Sequence, residues 1–349
     1  MTEGFAVFRV FFFLAIAFVF AMAWTPLLTH ILYKYRLGKQ TRDEGKTPIF
    51  SLLHKKKSGT PTMGGVLVWV TALVLTVGFA LVARATENGV LDDLNFLSRS
   101  QTLLPLGALV AAAVVGLIDD AFSTRASRDG VGLRARHRLL ISLVIALAGA
   151  WWFVAKLDWT TIHVPFVGDY DIGLWYVPIF VFILVATSHS VNITDGLDGL
   201  SGGVLLAAFS SLAAIAFFQG RYDLATFNGV IIGALLAFVW FNIPPARFFM
   251  GDTGSMGLGT ALGVIAMLTN TALLLPIIAG VLVLESASVI IQVVAKRLWH
   301  RKVFLSAPLH HHFEAKGWPE SKVVMRAWLV AGVLGVIGLV VELLQRGVA

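Results

Sequence analysis

Several stretches of this chain of 349 residues run to about 18 apolar residues or more, which is close to the length a helix needs to cross a hydrocarbon layer of roughly 30 Å. With 57% hydrophobic and 13% charged residues and a mean hydropathy of +0.82, such a chain cannot fold as a water-soluble globule. Inside lipid every backbone polar group must be satisfied within the chain, which leaves helices or a closed barrel. The apolar runs are continuous and do not alternate, so helices are expected. The pattern places ten candidate spans near residues 10–33, 64–83, 102–118, 138–155, 174–191, 199–218, 226–241, 255–269, 272–295 and 324–344. The short connection at Asn270 is also compatible with one long, broken helix. The first run carries no small-residue cleavage site and leads into Tyr33-Lys34-Tyr35-Arg36, so it reads as a retained span. The expectation is an all-α polytopic membrane protein, residues 1–349 forming one domain without repeat or linker.

Charge sorts the connections. Residues 34–63, 119–138, 192–198, 242–254 and 296–323, with Arg326, hold every Lys and Arg except Arg9, Arg84, Arg99, Lys156, Arg221 and Arg346. The positive-inside rule makes that first group cytoplasmic, and an even number of spans then puts both termini on the outer, periplasmic side. The net charge of +7 reads as topology plus attraction to anionic lipid and phosphate. Basic residues spread over separate membrane loops make no continuous stripe, so no nucleic-acid partner is expected. The chain has no cysteine, which excludes disulfide scaffolds and thiol chemistry.

Polar residues that lipid packing does not explain gather on the basic side. Gly116-Leu117-Ile118-Asp119-Asp120 sets two carboxylates at the end of the third span, where the helix macrodipole and each other's charge are unfavourable. A divalent cation would compensate them, and Mg²⁺ suits an open site because it needs only one or two carboxylates beside substrate phosphates. Neighbours on a helix point in different directions, so one acid can bind metal while the other acts as a base. A solvated acidic helix end is the plainer reading. Asn192-Ile193-Thr194-Asp195-Gly196-Leu197-Asp198-Gly199-Leu200 is an acidic loop on a basic face, with Asn, Asp and Gly turn chemistry as its plainer reading. Phe241 to Asp252 (FNIPPARFFMGD) delivers another acid next to a glycine on the same side.

Two further segments bring nitrogen. In Pro308-Leu309-His310-His311-His312-Phe313-Glu314, consecutive imidazoles cannot all face one point from a helix, so a local three-His metal site is not expected. One or two of them would instead reach substrate phosphates or an acidic neighbour. Lys55 to Gly65 (KKKSGTPTMGG) joins cations to a glycine-bearing turn that opens the second span, an anion-binding arrangement that is not a Walker A loop. Lys55 and Lys56 read as headgroup anchors. Acids for Mg²⁺, cations for phosphate and a membrane position together point to phosphoryl transfer between a soluble and a lipid substrate. A transporter is the competing class, because intramembrane acids and broken spans also mark ion pathways; the acids here lie at one edge and not at mid-membrane.

In combination, Lys57 to Gly65, Asp119-Asp120, Asn192 to Leu200, Asn242 to Asp252, Pro308 to Glu314 and Trp318 to Arg326 resemble the polyprenyl-phosphate N-acetylhexosamine-1-phosphate transferases over nearly the whole chain. The PLHHHFE form is similar to the muramoyl-pentapeptide branch. The resemblance implies a bacterial inner-membrane, ten-helix homodimer with a cytoplasmic active site. It implies UDP-MurNAc-pentapeptide and undecaprenyl phosphate as substrates, lipid I and UMP as products, and Mg²⁺ as cofactor. Carried across residue by residue, it makes Asp252 a Mg²⁺ ligand, Asp119 the acid that deprotonates or orients the lipid phosphate, and Asp120 an assistant to the diphosphate and metal. Lys57, Asp195, Leu197, Asp198 and Phe249 would line the nucleoside pocket, with Phe249 stacking on uracil, and Thr62 would also bind substrate. Asn192, Asn242, His310, His311 and His312 would complete the polar cleft, with His310 among the catalytic groups. Direct attack and a covalent Asp intermediate both remain open. This chain departs from the family at Ser123 and Arg138, where lysines are usual, with Arg125 or Arg128 as substitutes for the first. Glu285 and Gln292 also match the family pattern, where a helix break or a helix contact is expected and not catalysis.

Overall fold

The computed structural model describes residues 2–35, 37–38, 59–86, 89–125 and 132–347. Its helices are α1 (Glu3–Lys34), α2 (Val66–Thr86), α3 (Gly89–Leu94), α4 (Leu103–Arg125), α5 (Ala135–Lys156), α6 (Tyr176–Thr194), α7 (Leu200–Phe218), α8 (Tyr222–Asn242), α9 (Gly251–Leu268), α10 (Leu275–Ile278), α11 (Gly280–Leu298), α12 (Leu309–Ala315) and α13 (Glu320–Gln345). Among the described residues eight segments are long and apolar enough to cross a membrane, and the chain is an all-α polytopic membrane protein. The two long helices outside that group are α9 and α11. Every residue of α9 is buried in protein, so it has no need of a lipid-compatible surface. That is why a helix carrying Asp252, Thr253, Ser255 and five glycines can occupy the middle of the bundle.

Packing follows from small residues. No hydrophobic force drives helices together inside lipid, so close backbone approach and polar contacts must hold them. α9 is flanked by α4 and α6, with α2 and α7 also against it. A Cβ on Gly254 would lie 2.7 Å from the Gly65 Cα, one on Gly257 would lie 2.9 Å from the Ala113 Cβ, and one on Gly259 would lie 2.6 Å from the Ser188 Cα. On the far side of the bundle α1 lies along α8 through Phe13, Ala17, Ala21, Thr25, Leu28 and Leu32, a stripe at helical spacing.

The two ends of the bundle differ. At one end α4, α6 and α8 finish while α2, α9 and α13 begin, and the basic connections flank this end. At the other, Arg9 is buried and its guanidinium bonds Asp223 Oδ1 at 2.6 Å, Thr226 Oγ1 at 3.2 Å and the Asp93 carbonyl at 3.2 Å. There too Gln219 donates to the Thr269 carbonyl (2.8 Å) and to Glu342 Oε1 (2.9 Å). A hairpin, β1 (Thr161–Val164) with antiparallel β2 (Gly168–Asp171), closes this end. The His163 backbone N–H donates to Asn270 Oδ1 at 3.0 Å, and Asn270 itself sits at φ +54° where α9 stops.

Three sequence expectations are refined. The candidate span 272–295 is two helices, α10 and α11, separated at Ala279, and α9 is separate from both, so no single broken helix runs through Asn270. Asp119 and Asp120 lie inside α4, more than a turn before its end at Arg125, and the macrodipole objection to them weakens accordingly. Asp252 lies in the first turn of α9 instead of the loop before it, where the dipole favours a carboxylate. The short helices and the hairpin have no counterpart in an apolar pattern of span length.

The α1–α8 contact predicts a stability effect distant from the polar end. A Cβ on Gly233 would stand 2.1 Å from the Leu14 carbonyl oxygen and 2.9 Å from the Ala17 Cβ, so Gly233→Ala should destabilise the fold by about 1–3 kcal/mol through overpacking. The thermal unfolding midpoint in detergent should fall while the far-UV circular dichroism of the folded protein stays that of the wild type.

Candidate active site

The acids meet at the end flanked by basic loops. Asp119 and Asp120 are wholly buried and Asp252 is 5% exposed. The Arg138 guanidinium joins two of them, pairing through Nε with Asp119 Oδ2 and through an outer nitrogen with Asp252 Oδ2 at 3.1 Å. Asp119 Oδ1 accepts the Leu133 backbone N–H, so the segment that leads into α5 brings both a dipole and a cation to this acid. Asp120 Oδ2 accepts the Thr253 N–H at 3.0 Å, at the N-terminal turn of α9 where such donors lack intrahelical partners. Asn192, near the end of α6, donates from Nδ2 to Asp252 Oδ1 (2.7 Å) and to Ser255 Oγ (2.9 Å).

Glycine geometry makes this convergence possible. A Cβ on Gly116 would fall 2.2 Å from the Asp252 carbonyl oxygen, so α4 and α9 touch through backbone at the level of the acids. Gly251 has φ +74°, and a Cβ there would stand 2.5 Å from both Asp120 Oδ2 and Thr62 Oγ1. Only glycine suits that position on both counts.

The turn that opens α2 is zipped to the approach to α9 through backbone. The Gly64 N–H donates to the Phe249 carbonyl (2.7 Å), the Gly65 N–H to the Met250 carbonyl (2.8 Å) and the Phe249 N–H to the Pro61 carbonyl (2.8 Å). Buried Thr62 and half-buried Phe249 thereby stand on either side of one seam. Lys57 lies outside the described residues, as do Lys55, Lys56 and Arg128.

The acidic loop after α6 organises its neighbours through backbone donors. Asp195 Oδ2 accepts the Gly251 N–H (3.2 Å) and Oδ1 the Ser201 hydroxyl (2.8 Å). Asp198 Oδ2 accepts the Ala246 N–H at 3.0 Å, while its own N–H donates to Glu320 Oε1 at 2.7 Å. Asn242 receives the Gly199 N–H at 3.0 Å and donates to the Phe248 carbonyl at 2.8 Å. Leu197 is buried beside them.

The three histidines diverge, as their adjacency requires. His310 is buried, its Nδ1 lies 3.0 Å from Glu285 Oε2, and its Nε2 faces Gly196, where a Cβ would stand 2.3 Å away. His311 Nδ1 pairs with Glu314 Oε2 at 2.7 Å. His312 Nδ1 accepts the Leu305 N–H at 3.1 Å. Burial, and then the Lys316 ammonium, push its pKa below the ordinary histidine value, so it is a neutral acceptor at pH 7. Among the described residues no contact joins His312 to the acids.

Asp119, Asp120, Asn192, Asp195, Asp252 and Thr62 are therefore drawn together around the first turn of α9, His310 meets the neighbouring loop at Gly196, Asp198, Asn242 and Leu197 are buried beside that loop, and His312 stands apart. Reasoning from sequence missed Thr253, Ser255, Ser201, Glu320 and Trp328, whose indole donates to the Gly199 carbonyl at 3.0 Å. Thr253 and Ser255 carried a signal, being small polar residues directly after Asp252 in a helix start; Trp328 carried none. At Ser123 the hydroxyl turns back to the Asp120 carbonyl (2.9 Å) and supplies no charge. Arg138 is the described cation at the acids.

As a binding site for a metal, the cluster offers oxygen donors only, which suits a hard cation. Among the described residues no three His, Asp or Glu side chains form a closed cage, so any ion here would draw its remaining ligands from water and substrate phosphate, the usual habit of Mg²⁺. The positions of Asp119 Oδ2 and Asp252 Oδ2 around one guanidinium show that a cation fits between them.

Residues 102–270 match the family described as glycosyl transferase family 4, and residues 57–67 match phospho-N-acetylmuramoyl-pentapeptide-transferase signature 1. The fold and the acidic cleft thus define a membrane-embedded phosphoglycosyl transferase. Proteins named phospho-N-acetylmuramoyl-pentapeptide-transferase align over almost their full length. That of Anoxybacillus flavithermus is 37% identical over 94% of this chain and 96% of its own. That of Geobacillus thermodenitrificans is 37% identical over the same shares, and that of Clostridium kluyveri is 36% identical over 93% and 96%. The chain belongs to the phospho-N-acetylmuramoyl-pentapeptide-transferase family.

The geometry of that loop generates its own test. Asp198→Ala would strand the Ala246 N–H, at a cost of about 1–3 kcal/mol, and should lower the thermal unfolding midpoint and raise the donor KM. Asp198→Asn, which keeps a carbonyl oxygen for that N–H, should recover most of the lost stability.

Proposed function

We propose that the chain transfers phospho-MurNAc-pentapeptide from UDP-MurNAc-pentapeptide to undecaprenyl phosphate, giving lipid I and UMP in peptidoglycan synthesis. The observation that carries the reading is the meeting of Asp119 and Asp252 on one cation, with Asp120 tied to the same helix start. The cluster lies at the end of the bundle flanked by the basic connections, which is the end where a soluble nucleotide and a lipid phosphate would have to meet. In the transfer an oxygen of the lipid phosphate bonds to the sugar-bearing phosphorus, and the bond from that phosphorus to the departing UMP oxygen breaks.

Asp252 is the residue assigned to Mg²⁺, with Asp120 beside it; when bound, the ion neutralises diphosphate charge. Asp119 orients the lipid phosphate and takes its proton. Asn192 holds the Asp252 carboxylate in place through its amide, and Arg138 supplies positive charge against Asp119. Lys57, Thr62, Asp195, Leu197 and Phe249 bind the nucleoside part, and Asp198 and Asn242 shape that pocket by holding residues 246–248. His310 and His311 face the donor from the opposite wall, with His312 behind them. Arg138, Arg297, Arg301 and Lys302 stand near the same end of the bundle as the acids, which supports a cleft on the cytoplasmic face of the bacterial inner membrane, both termini lying on the other side. Residues 1–349 act as one catalytic domain. A homodimer belongs to the same reading, and the exposed apolar side chains of α13, among them Leu329, Val333 and Val336, are open to lipid or to a second copy.

Release of UMP from UDP-MurNAc-pentapeptide by purified protein, with a polyprenyl phosphate and Mg²⁺, tests the reading directly. Asp252→Ala should lower kcat by roughly 10²-fold or more, the scale of losing one charge-stabilising group; near-normal kcat would remove the metal-ligand assignment. Phe249→Ala should chiefly raise the donor KM, by roughly 5- to 150-fold if base stacking contributes ~1–3 kcal/mol. An unchanged donor KM would place the uracil elsewhere.

A further inference from the structure

Glu285 is an acid in the interior of α11, 4% exposed, and neither metal nor nucleoside binding uses it. One of its oxygens, Oε2, serves His310 twice. It accepts the His310 backbone N–H at 3.2 Å and lies 3.0 Å from His310 Nδ1. A carboxylate oxygen only accepts, so the contact requires the proton on Nδ1. The other ring nitrogen is thereby determined, because the tautomer of an imidazole follows from the bond its first nitrogen makes. Nε2 is buried, has no hydrogen-bond partner among the described residues, and faces Gly196 in the loop that carries Asp195 and Asp198. A side chain at position 196 would occupy the space in front of it.

We propose that Glu285 is a positioning residue that acts through His310: it locks the ring with Nδ1–H toward α11 and leaves Nε2 as the working nitrogen, which, once the ring is protonated, donates a hydrogen bond to a phosphate oxygen of the nucleoside-diphosphate donor. This rests on the transferase reading above. When the ring is protonated, Nε2–H donates a charge-assisted bond to the phosphate, and the buried carboxylate balances the imidazolium. The other charged or titratable groups around the ring are His311, whose ring centroid is 4.2 Å away, Glu314 paired with His311, and Asp195 next to Gly196. Glu285 alone among them bonds the His310 ring, in a carboxylate–histidine arrangement of the kind that orients catalytic imidazoles on other folds.

Glu285 also holds the start of α12 through the His310 N–H, so the experiment must separate that structural contact from control of the ring. Glu285→Leu should lower kcat by about 10²-fold, the scale of losing one donor that stabilises charge developing on the transferring phosphate, with donor KM changed by less than about 3-fold. Glu285→Gln, whose amide oxygen can accept both bonds, should restore most of the rate. In a His310→Ala background the backbone N–H persists and the ring does not. Adding Glu285→Leu there should cause no further loss, whereas a merely structural role would lower kcat again and overturn the proposal. Should Glu285→Leu fail to fold, ¹⁵N-histidine spectra of the wild-type protein decide: a protonated Nδ1 at His310 supports the lock, and a neutral ring protonated only on Nε2 refutes it. Full UMP release by His310→Ala would remove His310 from the reaction, and with it that part of the transferase reading, while the spectrum would still report whether Glu285 sets the ring.

Discussion

The site depends on two helices touching without side chains between them. α4 and α9 meet at Gly116, so close to the Asp252 carbonyl that no Cβ could be accommodated. Gly251 does the same service between α9, Asp120 and Thr62. Inside lipid, where apolar side chains gain nothing by leaving the hydrocarbon for one another, such backbone contact is among the few forces that can set helix separation closely. Its consequence is chemical: acids 133 positions apart in sequence share one hydrogen-bonded cluster.

Keeping three carboxylates in a place with little water demands compensation, because unpaired buried charge is costly. Part of that compensation is backbone: the first turn of α9 gives its N–H groups to Asp120 and Asp195, and Leu133 gives one to Asp119. The rest is Arg138. Its planar fork gives Asp119 and Asp252 a separate nitrogen each, where a lysine would have to serve both from a single ammonium on a flexible stem. The cluster thus has a built-in cation, and an incoming metal with its phosphates would meet acids already gathered around positive charge.

The opposite wall of the cleft is built on a different principle. α12 is short, and His310 gains its orientation from Glu285 on α11. Gln292, about two turns further along the same face of α11, receives the Val303 and Phe304 N–H groups at 3.0 and 2.9 Å and so anchors the segment that leads toward the histidines. Sequence pointed to a helix break or a helix contact at both residues, whereas both instead reach from α11 to the segment that carries the histidines.

Much of this was legible in the amino-acid order. Run length and the absence of alternation determined a helical membrane protein, the bias of Lys and Arg picked out one polar face, and the acids and histidines stood out because nothing in lipid explains them. These are local properties, and local chemistry decides them. What only the tertiary structure decided is who meets whom. No spacing says that Asn192 holds Asp252, that Asp198 serves the Ala246 N–H instead of facing solvent, or that Arg138 bridges two acids. Nor does hydropathy reveal that α9, one of the two long helices outside the group apolar enough to cross a membrane, is the central one, since a helix enclosed by other helices is released from the rule that governs those facing lipid. Partners far apart in sequence are chosen by how closely backbones can approach, and that is a property of packed pairs of helices which no single stretch of sequence carries.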